Sequence, residues 1–167
     1  DMRTADRHGL DPVEPVVAGT SGQEAVNAAF AAGVALYNAG IDFDFIDHES
    51  LARATVRNGR IMVSGEEYRV LVLPSMKTIR FSSLAKAKDL HLSGGTVVST
   101  GSFPDASEKG RGNREFESLR SRMLGTVYRC DSPDSLAALV GSRFTRDFHV
   151  LRFPAGTVLS HPRVMHR

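Results

Sequence analysis

Residues 42 to 49 read Asp-Phe-Asp-Phe-Ile-Asp-His-Glu, four carboxylates and a histidine within eight positions. Carboxylates at that density can share a proton for acid/base work or hold a cation, and which of these applies depends on where they point. Ile41, Phe43 and Phe45 alternate with Asp42 and Asp44, the period of a strand, so the two aspartates face away from the phenylalanines. Asp47 and His48 then fall at the strand's carboxyl end. For a metal site Asp42, Asp44 and His48 would have to project together, yet His48 lies beyond the strand and no D-x-D-x-D-G loop is present. His161 and His166 sit far away in the tail and complete no zinc set, so no metal is expected.

Other nucleophile and phosphate signatures are incomplete. Ser75 in "VLPSMKT" lacks both glycines of a G-x-S-x-G elbow. "AGTSGQ" has neither the Gly-Lys-Ser/Thr ending of a P-loop nor the G-x-G-x-x-G of a dinucleotide site, and reads better as a capped helix entrance. Cys130, the one cysteine, has no internal disulfide partner and no histidine among its neighbours "VYRCDSP", which makes it a structural thiol.

The elements that must carry these residues fit one domain. At 167 residues, folding buries roughly 70% of the surface an unfolded chain exposes. A hydrophobic fraction of 41% and a charged fraction of 24% are those of an ordinary globular chain. Net charge is +2, and lysine and arginine are scattered, with the densest basic stretch, "KGRGNREFESLRSR", diluted by glutamates into a solvated loop and helix face; no nucleic-acid partner is expected. No apolar run reaches the roughly 20 residues that span a bilayer, and the polar start "DMRTADRHGLDP" has no signal-peptide pattern. The expectation is a soluble chain without a membrane partner, its compartment unassigned.

Along the chain, 1–12 form a polar leader, and "VEPVVAG" is a short strand compromised by Pro12 and Pro15. "GQEAVNAAFAAGVALYNAG" puts Val26, Phe30, Val34 and Tyr37 on one helical face, with Ala29 and Gly33 beside them, and is capped by Thr20 or Ser21 and stopped by Gly40. The helix is amphipathic and alanine-rich on its contacting side. A strand at 41–46 and a short helix "ESLARA" follow, then a hairpin around Asn58-Gly59, the pair suited to a type I′ turn. "YRVLVLP" is a strand covered on both faces, because Val70 to Leu73 are apolar without alternation. "SSLAKAKDLHLSGG" is a helix with a serine cap, a Gly-Gly stop and Leu84, Ala87 and Leu90 inward, and "TVVSTG" is the next strand. "SFPDASEKGRGN" is a flexible polar loop, "REFESLRSRML" a helix, "TVYRC" a strand, and "SPDSLAALVG" a helix with Asp131 or Ser132 as cap and Pro133 in its first turn. The tail supplies two β segments around "PAG". Strands alternating with helices predict an α/β fold with a mostly parallel sheet and a β-hairpin insertion, spanning 13–153, with 154–167 leading toward a following domain.

In an open parallel sheet ligands bind beyond the carboxyl ends of strands. Three loops meet there on this reading, "DHES", "PSMK" and "TGSF", and their polar residues Asp47, His48, Ser75, Thr100 and Ser102 are the candidate ligand-binding set. A merely solvated strand end is the competing explanation, and no catalytic residue is assigned.

The run "LYNAGIDFDFIDHESL", "VRNGRIMVSGEEYRVLVLPSMKTI", "LSGGTVVSTGSFPDAS" resembles the auxiliary α/β domain of family 106 glycoside hydrolases, the α-L-rhamnosidase-like enzymes, over about residues 26 to 106. The shared pattern is aG-x-D-F-D-F-I, Y-x-x-L-V-L-P and G-G-x-V-x-x-T/G-x-x-P. The closing "HPRVMHR" is similar to the junction that leads into a β-sandwich domain in those enzymes. The resemblance implies a three-layer, flavodoxin-like or class I amidotransferase-like domain, of the kind that also serves as the trimerisation domain of some β-galactosidases. It implies catalytic carboxylates on a separate barrel, which makes Asp42 and Asp44 a fold signature and not an acid/base pair. Where an amidotransferase carries its cysteine, this chain has Ser75 and Met76, and the usual first strand V-x-V-L-Y-P is reduced to "VEPVVAG". The implied partners are the barrel and β-sandwich of a parent chain, with carbohydrate and self-association as further partners; no cofactor is implied. Beside this accessory-domain reading stand a small binding domain or hydrolase that uses the strand-end loops, and an oligomerisation domain.

Overall fold

The computed structural model describes residues 21–110 and 112–144. The expected strand in "VEPVVAG", the polar leader, the side-chain cap at Thr20 or Ser21, the tail segments and the boundary near 154 lie outside the described residues. In chain order the elements are helix α1 (Ser21–Asn38), helix α2 (His48–Arg53), strands β1 (Thr55–Arg57), β2 (Arg60–Val63), β3 (Glu66–Tyr68) and β4 (Val70–Leu73), helix α3 (Phe81–Leu92), strand β5 (Thr96–Thr100), helix α4 (Arg114–Leu124), strand β6 (Tyr128–Cys130) and helix α5 (Pro133–Arg143). The described residues form a mixed α/β fold with two sheets: a parallel one in the order β4-β5-β6 and a separate antiparallel one in the order β1-β2-β3.

The parallel sheet holds because its middle strand is apolar on both faces. Val97 joins a core cluster with Leu71, Leu73, Leu84, Leu90, Phe116 and Met123, while Val98 joins a second cluster with Ala32, Leu36, Cys130, Leu136 and Val140. Successive strand residues point to opposite faces, so the two clusters lie on the two sides of the sheet, with α3 and α4 against one and α1 and α5 against the other. The unalternating Val70 to Leu73 run is covered on both faces, as its sequence predicts: Leu71 and Leu73 are buried in one cluster, and Val70 and Val72 pack half-buried against the other.

Local chemistry sets the element ends. Gly40, at φ 67°, ends α1 in a Schellman motif: the Ile41 N–H donates to Leu36 O at 3.0 Å and the Gly40 N–H to Tyr37 O at 3.0 Å. Asn58 and Gly59 both take positive φ, 52° and 72°, which makes the expected type I′ turn between β1 and β2. Ser64 and Gly65 repeat the geometry between β2 and β3, so the antiparallel sheet has three strands and not the two of a simple hairpin. Ser132 caps α5 reciprocally with Ser135, and Pro133 occupies the first turn.

Four expectations need correction. Residues 41–46 take no regular secondary structure and form no ladder with any described strand; Ile41 and Phe43 pack toward α1 and α5, and Ile46 toward the opposite cluster. The start of α3 is capped not by its own serines but by Glu108, whose carboxylate accepts the Phe81 N–H at 2.8 Å. The segment after β5 is tied down over much of its length: Phe103 and Pro104 are buried, the Ile79 N–H donates to Ala106 O at 3.0 Å, and Arg120 Nε donates to Pro104 O at 2.7 Å. Lastly, α1 buries its small residues Ala32 and Ala35 together with Leu36, and turns Val26, Phe30, Val34 and Tyr37 outward at 43%, 60%, 59% and 47% exposure. The reason is close approach. A Cβ on Gly33 would come within 3.0 Å of the Phe43 and Phe45 rings, so the glycine and alanine side is the one that seats.

Candidate functional site

The five candidate side chains fall into two groups. Ser75 follows β4, Thr100 and Ser102 lie at and just beyond the end of β5, and Ser75 and Ser102 meet. The Ser102 N–H donates to Ser75 Oγ at 3.1 Å, the Met76 N–H donates to Ser102 O at 3.3 Å, and the Gly101 N–H donates to Cys130 O at 2.9 Å. Gly101, at φ 70°, is a necessary glycine: a Cβ there would stand 3.0 Å from Ser75 Oγ. Thr100 is buried. Asp47 and His48 belong instead to the start of α2, and no hydrogen bond or ion pair joins either to Ser75, Thr100 or Ser102.

Asp47 and Ser75 already have structural tasks. Asp47 is the N-cap of α2, and its Oδ1 accepts the N–H groups of Glu49 and Ser50, both at 2.9 Å. Hydrogen bonding from the Ser50 side chain and then its backbone outweighs desolvation and lowers the Asp47 carboxyl from an ordinary 3.8 to about 2. A carboxylate held that far down is fully ionised at neutral pH and is a poor proton donor. His48 is exposed as the first residue of α2. Ser75 spends its oxygen on the Ser102 amide, and among the described residues no hydrogen bond joins it to a histidine.

The aspartates that opened the sequence reading do not form a pair either. Asp44 accepts the phenolic O–H of Tyr68, and this bond, with desolvation behind it, pushes the Tyr68 hydroxyl up to about 12. The bond ties 41–46 to the end of β3. Burial pushes the Cys130 thiol up despite a hydrogen bond with Ser135, consistent with an inert core thiol. Among the described residues no group of three or more His, Cys, Asp and Glu could hold a metal ion. Nor is any described helix long and apolar enough to cross a membrane.

Two features were not legible as sites. Two shallow grooves of about 210 and 220 Å³ flank the antiparallel sheet, one lined by Ser50, Arg53, Met62 and Ser64, the other by Asn58, Arg60, Arg69, Gly94 and Phe144. The other feature is an apolar strip: Val26, Phe30, Val34 and Tyr37 on α1, extended by Phe45, which is 61% exposed and whose ring centroid lies 5.4 Å from that of Phe30 and 5.5 Å from that of Phe43. The i, i+4, i+8, i+11 spacing of the four helix residues marks this strip in the sequence; what the spacing does not reveal is that it faces outward. Compared with protein-family models, with curated proteins and with solved structures, the chain matches none.

Proposed function

We propose that this chain is a non-catalytic accessory domain of a carbohydrate-active, α-L-rhamnosidase-like hydrolase, and that α1 is the face by which it packs against a catalytic barrel. The observation that carries the reading is the strip Val26, Phe30, Val34, Tyr37 and Phe45, five large apolar side chains side by side and about half exposed. Exposed large apolar side chains scattered singly are ordinary, whereas a contiguous group of them is the kind of surface that marks an interaction face. The finer fold we propose is a three-layer, flavodoxin-like or class I amidotransferase-like arrangement, supported by parallel β4-β5-β6 with a core cluster on each side. The non-catalytic role is supported by the engagement of Asp47 and Ser75 with backbone amides.

The test is the natural reading frame together with activity. The frame is read from the transcript, and the purified chain is assayed on aryl α-L-rhamnosides. The reading expects a frame several times longer that encodes a barrel, and no turnover by the chain alone. A frame ending near Arg167, or glycoside hydrolysis by the chain unaided, overturns it. The same strip supports a second reading, an oligomerisation domain. Light scattering at micromolar concentration separates the two, since a monomer there ends the second.

A further inference from the structure

We propose that the groove at the Asn58-Gly59 end of the β1-β2-β3 sheet binds a small oxyanionic ligand, a phosphate or a carboxylate-bearing sugar, through Arg57, Arg60 and Arg69. In the ladder Arg57 stands opposite Arg60, and Ile61 stands opposite Tyr68. Residues across a rung share a face of the sheet, so Arg57 and Arg60 stand together on the side opposite the buried Ile61. β3 ends at Tyr68, and Arg69, at the bend between β3 and β4, lines one groove with Arg60. The acid beside these arginines is Glu67, which meets Arg60 at 3.1 Å. Among the described residues neither Arg57 nor Arg69 has a carboxylate in ion-pair range.

Like charges placed directly opposite one another in a ladder repel, and here three guanidiniums share one carboxylate. An anion bound between them removes that repulsion and takes paired N–H donors from the planar fork, which matches carboxylate and phosphate oxygens two at a time. Arg60 and Arg69 also line the groove of about 220 Å³, whose remaining wall includes Asn58, Gly94, Thr96 and Phe144. A volume below the usual range for drug-sized ligands sets the occupant's scale as a single phosphate group or one sugar ring. The main-chain Gly94 and Gly95 amides at the rim are already spent on His91 O and Leu90 O, so the arginine side chains supply the donors. This inference uses a different face from α1 and does not rest on the accessory-domain reading.

The experiment titrates the whole chain, at low ionic strength, with inorganic phosphate, glucuronate and glucose, following amide shifts and heat. Saturable binding of at least one anion, none of glucose, and weakening by added salt is the expected result. Arg57→Gln or Arg69→Gln should weaken binding at least fivefold. Both positions are exposed and Arg69 keeps its main-chain bond to Thr96, so the melting temperature of each variant without ligand should hold or rise. Phosphate binding alone identifies a phosphorylated ligand, and tighter glucuronate binding an acidic sugar. No saturable anion binding, equal binding of glucose, or affinities unchanged in both variants would overturn the proposal.

Discussion

Replacing Gly95 with alanine should destabilise the protein through overlap alone. A Cβ built there collides with Leu90 Cδ1, comes 2.6 Å from Leu90 Cγ and 2.9 Å from the Gly59 carbonyl oxygen. Leu90 is fully buried, so its side chain has no exit to solvent, and the Gly59 oxygen belongs to the turn between β1 and β2. The new methyl must push α3 away from β5 or lift the antiparallel sheet off the turn after α3. Overpacking costs about 1–3 kcal/mol, and so close a collision with a buried side chain belongs to the upper half, about 2–3 kcal/mol; alanine returns about 0.4–1 kcal/mol by narrowing the unfolded ensemble, which leaves a net loss of about 1–2.6 kcal/mol. For a domain of this size that is about 2–10 °C in melting temperature. Urea unfolding followed by far-ultraviolet circular dichroism measures it, with an unchanged slope as the control. Leu90→Ala removes the struck atoms. On its own it should cost about 2–5 kcal/mol, yet the double variant should lose at least about 1 kcal/mol less than the sum of the singles. A Gly95→Ala loss under about 0.5 kcal/mol, or simple additivity, refutes the steric account.

Three further outcomes test other parts of the structure. Because the folded Asp47 carboxyl is depressed from 3.8 to about 2, the stability it contributes is present in full above about 4 and is lost as pH falls through about 2; Asp47→Asn should flatten that acid limb while keeping the cap, and Asp47→Ala should lose the cap at every pH. Stability curves from pH 2 to 7 decide it, and parallel acid limbs in parent and Asn variant would contradict the assignment. Phe30→Ser and Phe45→Ser together should cut dye binding to exposed apolar surface more than they lower the melting temperature, since both rings are more than half exposed; a collapse of folding would show that they are core. Cys130 should react with a thiol reagent only as fast as the protein opens, and modification at the rate of a free thiol in native buffer would mean that the site is accessible.

What could be read in the sequence was what local chemistry decides. Gly40 stops α1, Asn58-Gly59 turns the hairpin, Pro133 follows the Ser132 cap, and the apolar run at 70 to 73 is covered on both sides, all as residue type alone requires. The direction in which α1 faces was not readable. Its large apolar side chains and its alanines lie on different sides of one helix, and only the approach of Phe43 and Phe45 to Gly33 selects the small side for burial. The third antiparallel strand was missed although Ser64-Gly65 is itself a hairpin signal, because Tyr68 was joined to the apolar run beyond it. At the candidate site, strand-end logic groups Ser75, Thr100 and Ser102, of which Ser75 and the Ser102 amide are joined by a hydrogen bond. Asp47 and His48 were grouped with them by the same logic, but Asp47 before a short helix is an N-cap signal, and that local use consumes its oxygen.

The position of β5 carries a consequence for how the chain comes apart. Its five residues hydrogen-bond to β4 on one side and β6 on the other, and its side chains enter both core clusters. A strand that serves as the common wall of two cores leaves neither core able to melt while the other persists. Heat should therefore be absorbed in one transition, with calorimetric and van't Hoff enthalpies in agreement, even though the described residues form two separate sheets.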